Sequence, residues 1–390
     1  MARRFSFSGQ VVLGMWCAQL LLWQLSVAHA ETVLYAFKGN RDGLGPLAAP
    51  IRDGAGNIYG TTSGGGAHTS GTVFRLAPGG VEAVLYSFCS LRICRDGQLP
   101  SSGLVRDKAG NLYGTTYAGG ASGYGVVYEV TPTGVETVLH SFHGGIDGAN
   151  PEGTLVADGA GNLYGTTSTG GGSANCEVGC GTIFRIAPSH AETVLYAFAG
   201  APDGSAPMAG VTRDSDGSLY GTTLQGGAQG LGTVFKLSPK HVESVLYAFR
   251  NGNDGENPNA GLIEYNGDFY GTTWLGGTQG NGTVFRLTQG GLEKVLHSFA
   301  GADGSSPFTA GVVTDGAGNL YGTTSDGGAH GYGAVFKLTQ TGTETVLYSF
   351  KGGRDGAGPS AGLLRSGGNL YGTTEQGGAK DNGIVFEVKQ

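Results

Sequence analysis

Gly318-Asn-Leu-Tyr-Gly-Thr-Thr324 decides how this chain is read, because its core keeps returning. Tyr-Gly-Thr-Thr begins at Tyr59, Tyr113, Tyr164, Tyr220, Tyr270, Tyr321 and Tyr371, in steps of 54, 51, 56, 50, 51 and 50 residues. A fixed period of this size marks a repeat architecture. Around each copy lie three further strand-like runs. An Ala-Gly-Leu-like run precedes it, as at Ser102–Arg106 and Ala361–Leu364; Gly-Thr-Val-Phe-Lys-Leu and Glu-Thr-Val-Leu-Tyr-Ser-Phe follow it. The last two alternate and are rich in β-branched and aromatic residues, the pattern of half-buried strands. Turn chemistry separates all four: Asp-Gly-Ala-Gly-Asn, a glycine-rich loop after Tyr-Gly-Thr-Thr, a tight hairpin, and an Asp-Gly-x-x-Pro segment leading into the next unit.

Four strands in about fifty residues fit a β-propeller blade better than a leucine-rich or ankyrin-type unit. The ends of the pattern are complementary. Glu31-Thr-Val-Leu-Tyr-Ala-Phe37 is a fourth strand with no third before it, and Gly383-Ile-Val-Phe-Glu-Val388 is a third strand with no fourth after it. The strands balance only if these two segments pair, which also removes open sheet edges. The sequence therefore predicts an all-β, seven-bladed β-propeller, four strands per blade, closed by pairing of the N-terminal strand with the last blade.

Composition agrees. Of 390 residues, 77 are Gly and 14% are charged. Glycine at that density disfavours long helices, the triplet register of collagen is missing, and 17 Tyr with 17 Phe are too many for a disordered linker. Residues 1–30 read as a secretory signal peptide: Arg3 and Arg4, an apolar stretch from Val11 to about Val27, then Ala28-His29-Ala30. Residues 31–390 are expected to form one propeller domain. Cleavage would take the net charge from −7 to −9, which argues against nucleic acid as a partner. No second apolar run of spanning length follows, so no membrane insertion is expected after cleavage. The expected location is periplasmic or extracellular, and the expected state a monomer.

In an oxidising compartment cysteines default to disulfides. Two close pairs favour Cys89–Cys94 and Cys176–Cys180. A zinc site is the rival reading, but these spacings lack its paired C-x2-C form. Each pair sits in an inserted loop segment: seven residues separate Phe88 from Asp96, where most copies have four.

Taken together, the Gly-Asn-Leu-Tyr-Gly-Thr-Thr, Gly-Thr-Val-Phe-Lys-Leu, Thr-Val-Leu-Tyr-Ser-Phe and Asp-Gly-x-x-Pro motifs resemble the GloVer tandem repeat of bacterial exported proteins. The resemblance spans essentially residues 31–390. It implies export and a propeller, and no particular reaction.

In a propeller the long loops, from second to third strand and from fourth strand to the next blade, share one face, where any site is expected. Asp42, Asp96, Asp147, Asp203, Asp254, Asp303 and Asp355 recur there. Identical in every blade, they read as turn-fixing residues. Positions that differ between blades are better site candidates. Trp274 and Tyr117 follow Tyr-Gly-Thr-Thr and offer flat faces for stacking; Glu375 holds the same position in the last copy. Tyr124 and Tyr332 precede the third strand, Phe308 follows a loop proline, and His68 and His330 share a Gly-Gly-Ala-His context. No metal motif and no cofactor motif stands out. Gly358-Pro-Ser-Ala-Gly362 matches the nucleophile-elbow pattern formally but lacks a following helix. The expected function is non-catalytic binding of an extracellular glycan, peptide or protein through the long-loop face. The alternatives are a polysaccharide lyase or glycoside hydrolase with its active site at the funnel, or a structural envelope protein.

Overall fold

The computed structural model describes residues 31–250 and 252–390. The expected signal peptide lies outside the described residues. Seven four-stranded antiparallel sheets form the blades, six of them built in chain order from the inner to the outer strand. Blade 1 comprises Ile51–Arg52, Ile58–Thr62, Thr72–Ala77 and Val81–Ser87. Blades 2 to 6 repeat this order, with second strands at Leu112–Thr116, Leu163–Thr167, Leu219–Thr223, Asp268–Thr273 and Leu320–Thr324. Blade 7 takes three strands, Leu364–Ser366, Asn369–Thr374 and Ile384–Lys389, and borrows Glu31–Ala36 as its fourth. Glu31 pairs with Val388 and Ala36 with Ile384, so the ring closes as expected. Among the described residues no helix is long and apolar enough to cross a membrane.

The core lies between blades. Each blade's fourth strand ends in a fully buried phenylalanine that meets an aromatic ring on the third strand of the next blade. Phe37–Phe74, Phe88–Tyr128, Phe142–Phe184, Phe198–Phe235, Phe249–Phe285, Phe299–Phe336 and Phe350–Phe386 are all edge-to-face, with centroids 4.8–5.3 Å apart. Such pairs add about 0.5–1.5 kcal/mol beyond area burial. The seam that closes the ring has the same contact as the six others.

Tyr-Gly-Thr-Thr has a physical role at every letter. In five blades the tyrosine hydroxyl donates to the hairpin aspartate beside it, as Tyr59 does to Asp53 at 2.9 Å. The glycine lies under the aromatic ring of the third strand: a Cβ at Gly221 would sit 2.6 Å from Phe235 Cζ. The first threonine donates to a backbone carbonyl of the next blade, as Thr222 does to Ala260 at 3.0 Å and Thr272 to Ala310 at 3.0 Å. Thr373 reaches Ala48 across the closing seam. The second threonine turns the chain by donating to the carbonyl two residues on, as Thr273 does to Leu275.

Candidate functional site

On the long-loop face the backbone is held alike in every blade while side chains vary. The residue after Tyr-Gly-Thr-Thr donates its N–H to the residue before the loop proline of its own blade. Trp274 reaches Asn257 at 3.1 Å and Glu375 reaches Gly358 at 3.1 Å. The residue before the proline in turn bonds the previous blade's loop, as Gly358 N–H does to the Tyr332 carbonyl. This shared frame fixes where each variable side chain stands.

Between blades 5, 6 and 7 the frame leaves a cavity of about 380 Å³, within the size range of small-molecule clefts. Trp274, Phe308, Tyr332, Ser325, Asp326, Ser360, Glu375 and Gln376 supply its side-chain walls, and Gly331, Ala357 and Gly358 complete it. Phe308 comes from a one-residue insertion in the blade 6 loop, where eight steps separate Asp303 from Gly311 against seven from Asp254 to Gly261. Its ring meets Trp274 edge-to-face at 4.9 Å. Tyr332 is 47% exposed, and its ring lies over Gly352, where a Cβ would come within 2.9 Å of it. Ser360 is only 7% exposed, and its Oγ has no hydrogen-bond partner among the described residues. The cavity wall thus combines three aromatic rings, two exposed carboxylates and one unpaired buried hydroxyl, with no lysine or arginine.

Four of the residues singled out from sequence, Trp274, Phe308, Tyr332 and Glu375, meet here. The others do not join them. Tyr117 and Tyr124 stand on the blade 2 loop, both exposed. His68 is exposed on the blade 1 loop, and His330 is exposed next to Gly331 but outside the cavity wall. No group of three or more His, Cys, Asp or Glu among the described residues is placed to hold a metal. Cys89–Cys94 and Cys176–Cys180 are disulfide-bonded.

Each recurrent aspartate accepts the backbone N–H at the end of the preceding strand and a side-chain hydrogen from that strand. Asp254 takes Arg250 N–H at 2.7 Å and Tyr247 Oη at 2.6 Å. His140 and His297 replace that tyrosine, and their Nε2 atoms contact Asp147 at 3.2 Å and Asp303 at 2.9 Å. Burial holds the His140 imidazole below its usual pKa, against the pull of Asp147.

Sequence reasoning missed two features. The first is the axial collar. The first strands enter so close together that a Cβ at Gly210 would lie 2.1 Å from Thr154 O, one at Gly311 3.2 Å from Gly261 O, and one at Gly362 3.5 Å from Gly311 O. Two residues before this ring six different side chains occur in the seven blades: Leu47, Ser101, Glu152, Met208, Asn259, Thr309 and Ser360. Asn259 is 3% exposed, and its Oδ1, like Ser101 Oγ, is enclosed without a partner. Burial raises the Glu152 carboxyl, with Ser168 opposing. The signal was present in sequence, as variation between an invariant proline and a near-invariant glycine. The second feature is the glutamate opening each fourth strand. Glu31, Glu82, Glu136, Glu192, Glu243, Glu293 and Glu344 are half-buried, each with Oε1 enclosed and unpaired. Burial first, and then the recurrent aspartate that follows the preceding blade's fourth strand, raise every one of these carboxyls to about 7.

The fold and the repeat agree with comparisons to known proteins. The Gloeobacter/Verrucomicrobia repeat matches residues 19–214 and 173–386, and the chain belongs to that family. Among solved structures the chain is similar to the extracellular domain of a protein described as a one-component system from B. thetaiotaomicron. The identity is 10% and the TM-score 0.56, over 90% of this chain and 40% of that one. It is also similar to a Bacteroides uniformis protein described as a 6-phosphogluconolactonase, at 16% identity and a TM-score of 0.50, over 85% of this chain and 89% of that one. Likenesses this distant speak to the fold alone. No curated protein matches the chain.

Proposed function

We propose that the protein is an exported, non-catalytic propeller that binds a saccharide in the cavity between blades 5, 6 and 7. One observation carries this reading: side chains at positions that vary between blades, Trp274, Phe308, Tyr332 and Glu375, converge on one cleft of ligand size. Aromatic rings present flat apolar surface for the C–H faces of sugars, and the polar groups between them serve hydroxyls. Export is supported by family membership and by two disulfides.

A glycan array with the intact protein, followed by mass analysis of the bound oligosaccharides, tests the proposal. Binding without chain cleavage is expected. Trp274→Ala should weaken it about fivefold or more, because stacking of a planar group such as a nucleobase on an aromatic ring contributes about 1–3 kcal/mol. The hydrolase reading draws on Asp326 and Glu375, two carboxylates in one cleft. Time-dependent shortening of the oligosaccharide would establish it in place of the binding reading.

A further inference from the structure

The cavity has an electrostatic character that narrows its ligand. Asp326 and Glu375 both face it, Lys and Arg are missing from its wall, and the whole chain carries a net charge of −7. An acidic cleft bounded by low-dielectric walls concentrates cations and repels anions. Three aromatic rings act in the same sense, because the negative face of each ring attracts an ammonium group within about 6 Å. The Ser360 hydroxyl lies enclosed behind the wall, and Asp326 and Glu375 are the charged groups that a ligand meets.

We infer that the cavity selects a saccharide bearing a protonated amine, of the 2-amino-2-deoxyhexose type, over neutral and acidic sugars. The inference rests on the saccharide-binding reading and sharpens it. Stacking on Trp274 and Tyr332 serves any pyranose, whereas the charge term distinguishes the amine. A uronate brings its carboxylate towards Asp326 and Glu375 with no cation in the wall to answer it, so acidic polysaccharides are excluded by repulsion. The same lack counts against lyase chemistry in this cleft, since a lyase must neutralise the carboxylate of its substrate.

Titration calorimetry on the intact protein separates the possibilities, using the trisaccharide of glucosamine, its fully N-acetylated counterpart and trigalacturonate. At low ionic strength the glucosamine trimer should bind about tenfold tighter than the acetylated one, and trigalacturonate should not bind. In 0.5 M salt the preference should shrink to about threefold or less, because screening shortens the reach of exposed charges. Asp326→Asn combined with Glu375→Gln should erase the preference, so that the two trimers bind the variant within about twofold of each other. Both side chains are exposed, and an unchanged melting temperature verifies that the variant folds. Equal affinity for the two trimers, or tighter binding of the uronate, overturns the inference while the saccharide reading stands. Binding of none of the three overturns both, as does capture of a lysine-rich peptide alone.

Discussion

At the scale of single residues, the repeated letters of this chain are structural and the unrepeated ones are available for ligands. Gly221 shows how strict the first class is. The Phe235 ring lies across it, and a Cβ would stand 2.6 Å from Cζ and 3.0 Å from Cε1. The ring is fully buried between blades, so it has nowhere to retreat. Gly221→Ala should cost about 1–3 kcal/mol, the usual penalty for overpacking a dense core. Chemical denaturation reads it directly, and a loss below about 0.5 kcal/mol would mean that the ring does not sit where it is placed. Glycine at the same letter of the other six copies faces the same ring contact. At Trp274, by contrast, only the backbone is held, through its N–H to Asn257, and the side chain is free to differ from Ser63, Leu224 or Ser325 in equivalent positions.

At the scale of elements, the seam closing the ring and the seams within it should be energetically alike. Phe37 meets Phe74 with centroids 5.2 Å apart, and Phe249 meets Phe285 at 5.3 Å. Phe37→Ala and Phe249→Ala should therefore each cost about 3–5 kcal/mol, the range for emptying a buried phenylalanine site. A strand fraying from the start of the described chain would make Phe37→Ala nearly neutral, so comparing the two melting curves tests closure without truncating anything. Closure was legible in sequence because Glu31–Phe37 has no preceding third strand and Ile384–Val388 no following fourth. The blades were legible because apolar alternation and turn residues repeat in phase. Which loops meet was not. Tyr117 and Trp274 occupy the same letter of the repeat, and Tyr124 and Tyr332 share another, yet one member of each pair lines the cleft and the other stands on blade 2. The difference comes from neighbours: the inserted Phe308 next to Trp274, and Glu375 across from Tyr332. Ser360 was hidden for a further reason, because it read as part of a chance Gly-x-Ser-x-Gly match, and only packing shows that its hydroxyl is enclosed and unpaired.

At the scale of the whole molecule, the seven seams also share a titration. At each, the glutamate of one blade is paired electrostatically with the recurrent aspartate that follows the preceding blade's fourth strand: Glu82 with Asp42, Glu243 with Asp203, Glu31 with Asp355. Lys38 and Lys351 oppose the effect at two of these seams, and His140 and His297 contact the aspartates at two others. Burial is the larger cause throughout, and the glutamates reach about 7 against an unfolded value of 4.5. The folded ring thus binds more protons than the unfolded chain between those values. Stability then falls as pH rises from about 4.5 through 7 and levels off above. At the acid end the hairpin aspartates act the other way. Asp53, held by Asn57, Tyr59 and backbone N–H groups, is lowered to about 2, and Asp107, Asp158 and Asp315 are lowered by the same kind of hydrogen bonds. Their contribution is present above the unfolded value of 3.8 and is lost as pH falls towards 2. The two trends place the stability maximum near pH 4–5, below neutrality. Melting temperatures measured from pH 3 to pH 9 at constant ionic strength should fall steadily between pH 5 and pH 8. Glu243→Gln supplies a permanent neutral stand-in for the protonated acid. It should raise the melting temperature at pH 8 and leave it nearly unchanged at pH 5. A flat profile across that window, or a gain from Glu243→Gln at pH 5 as large as at pH 8, would show that the seams do not hold protons and that their enclosed oxygens are satisfied by water instead.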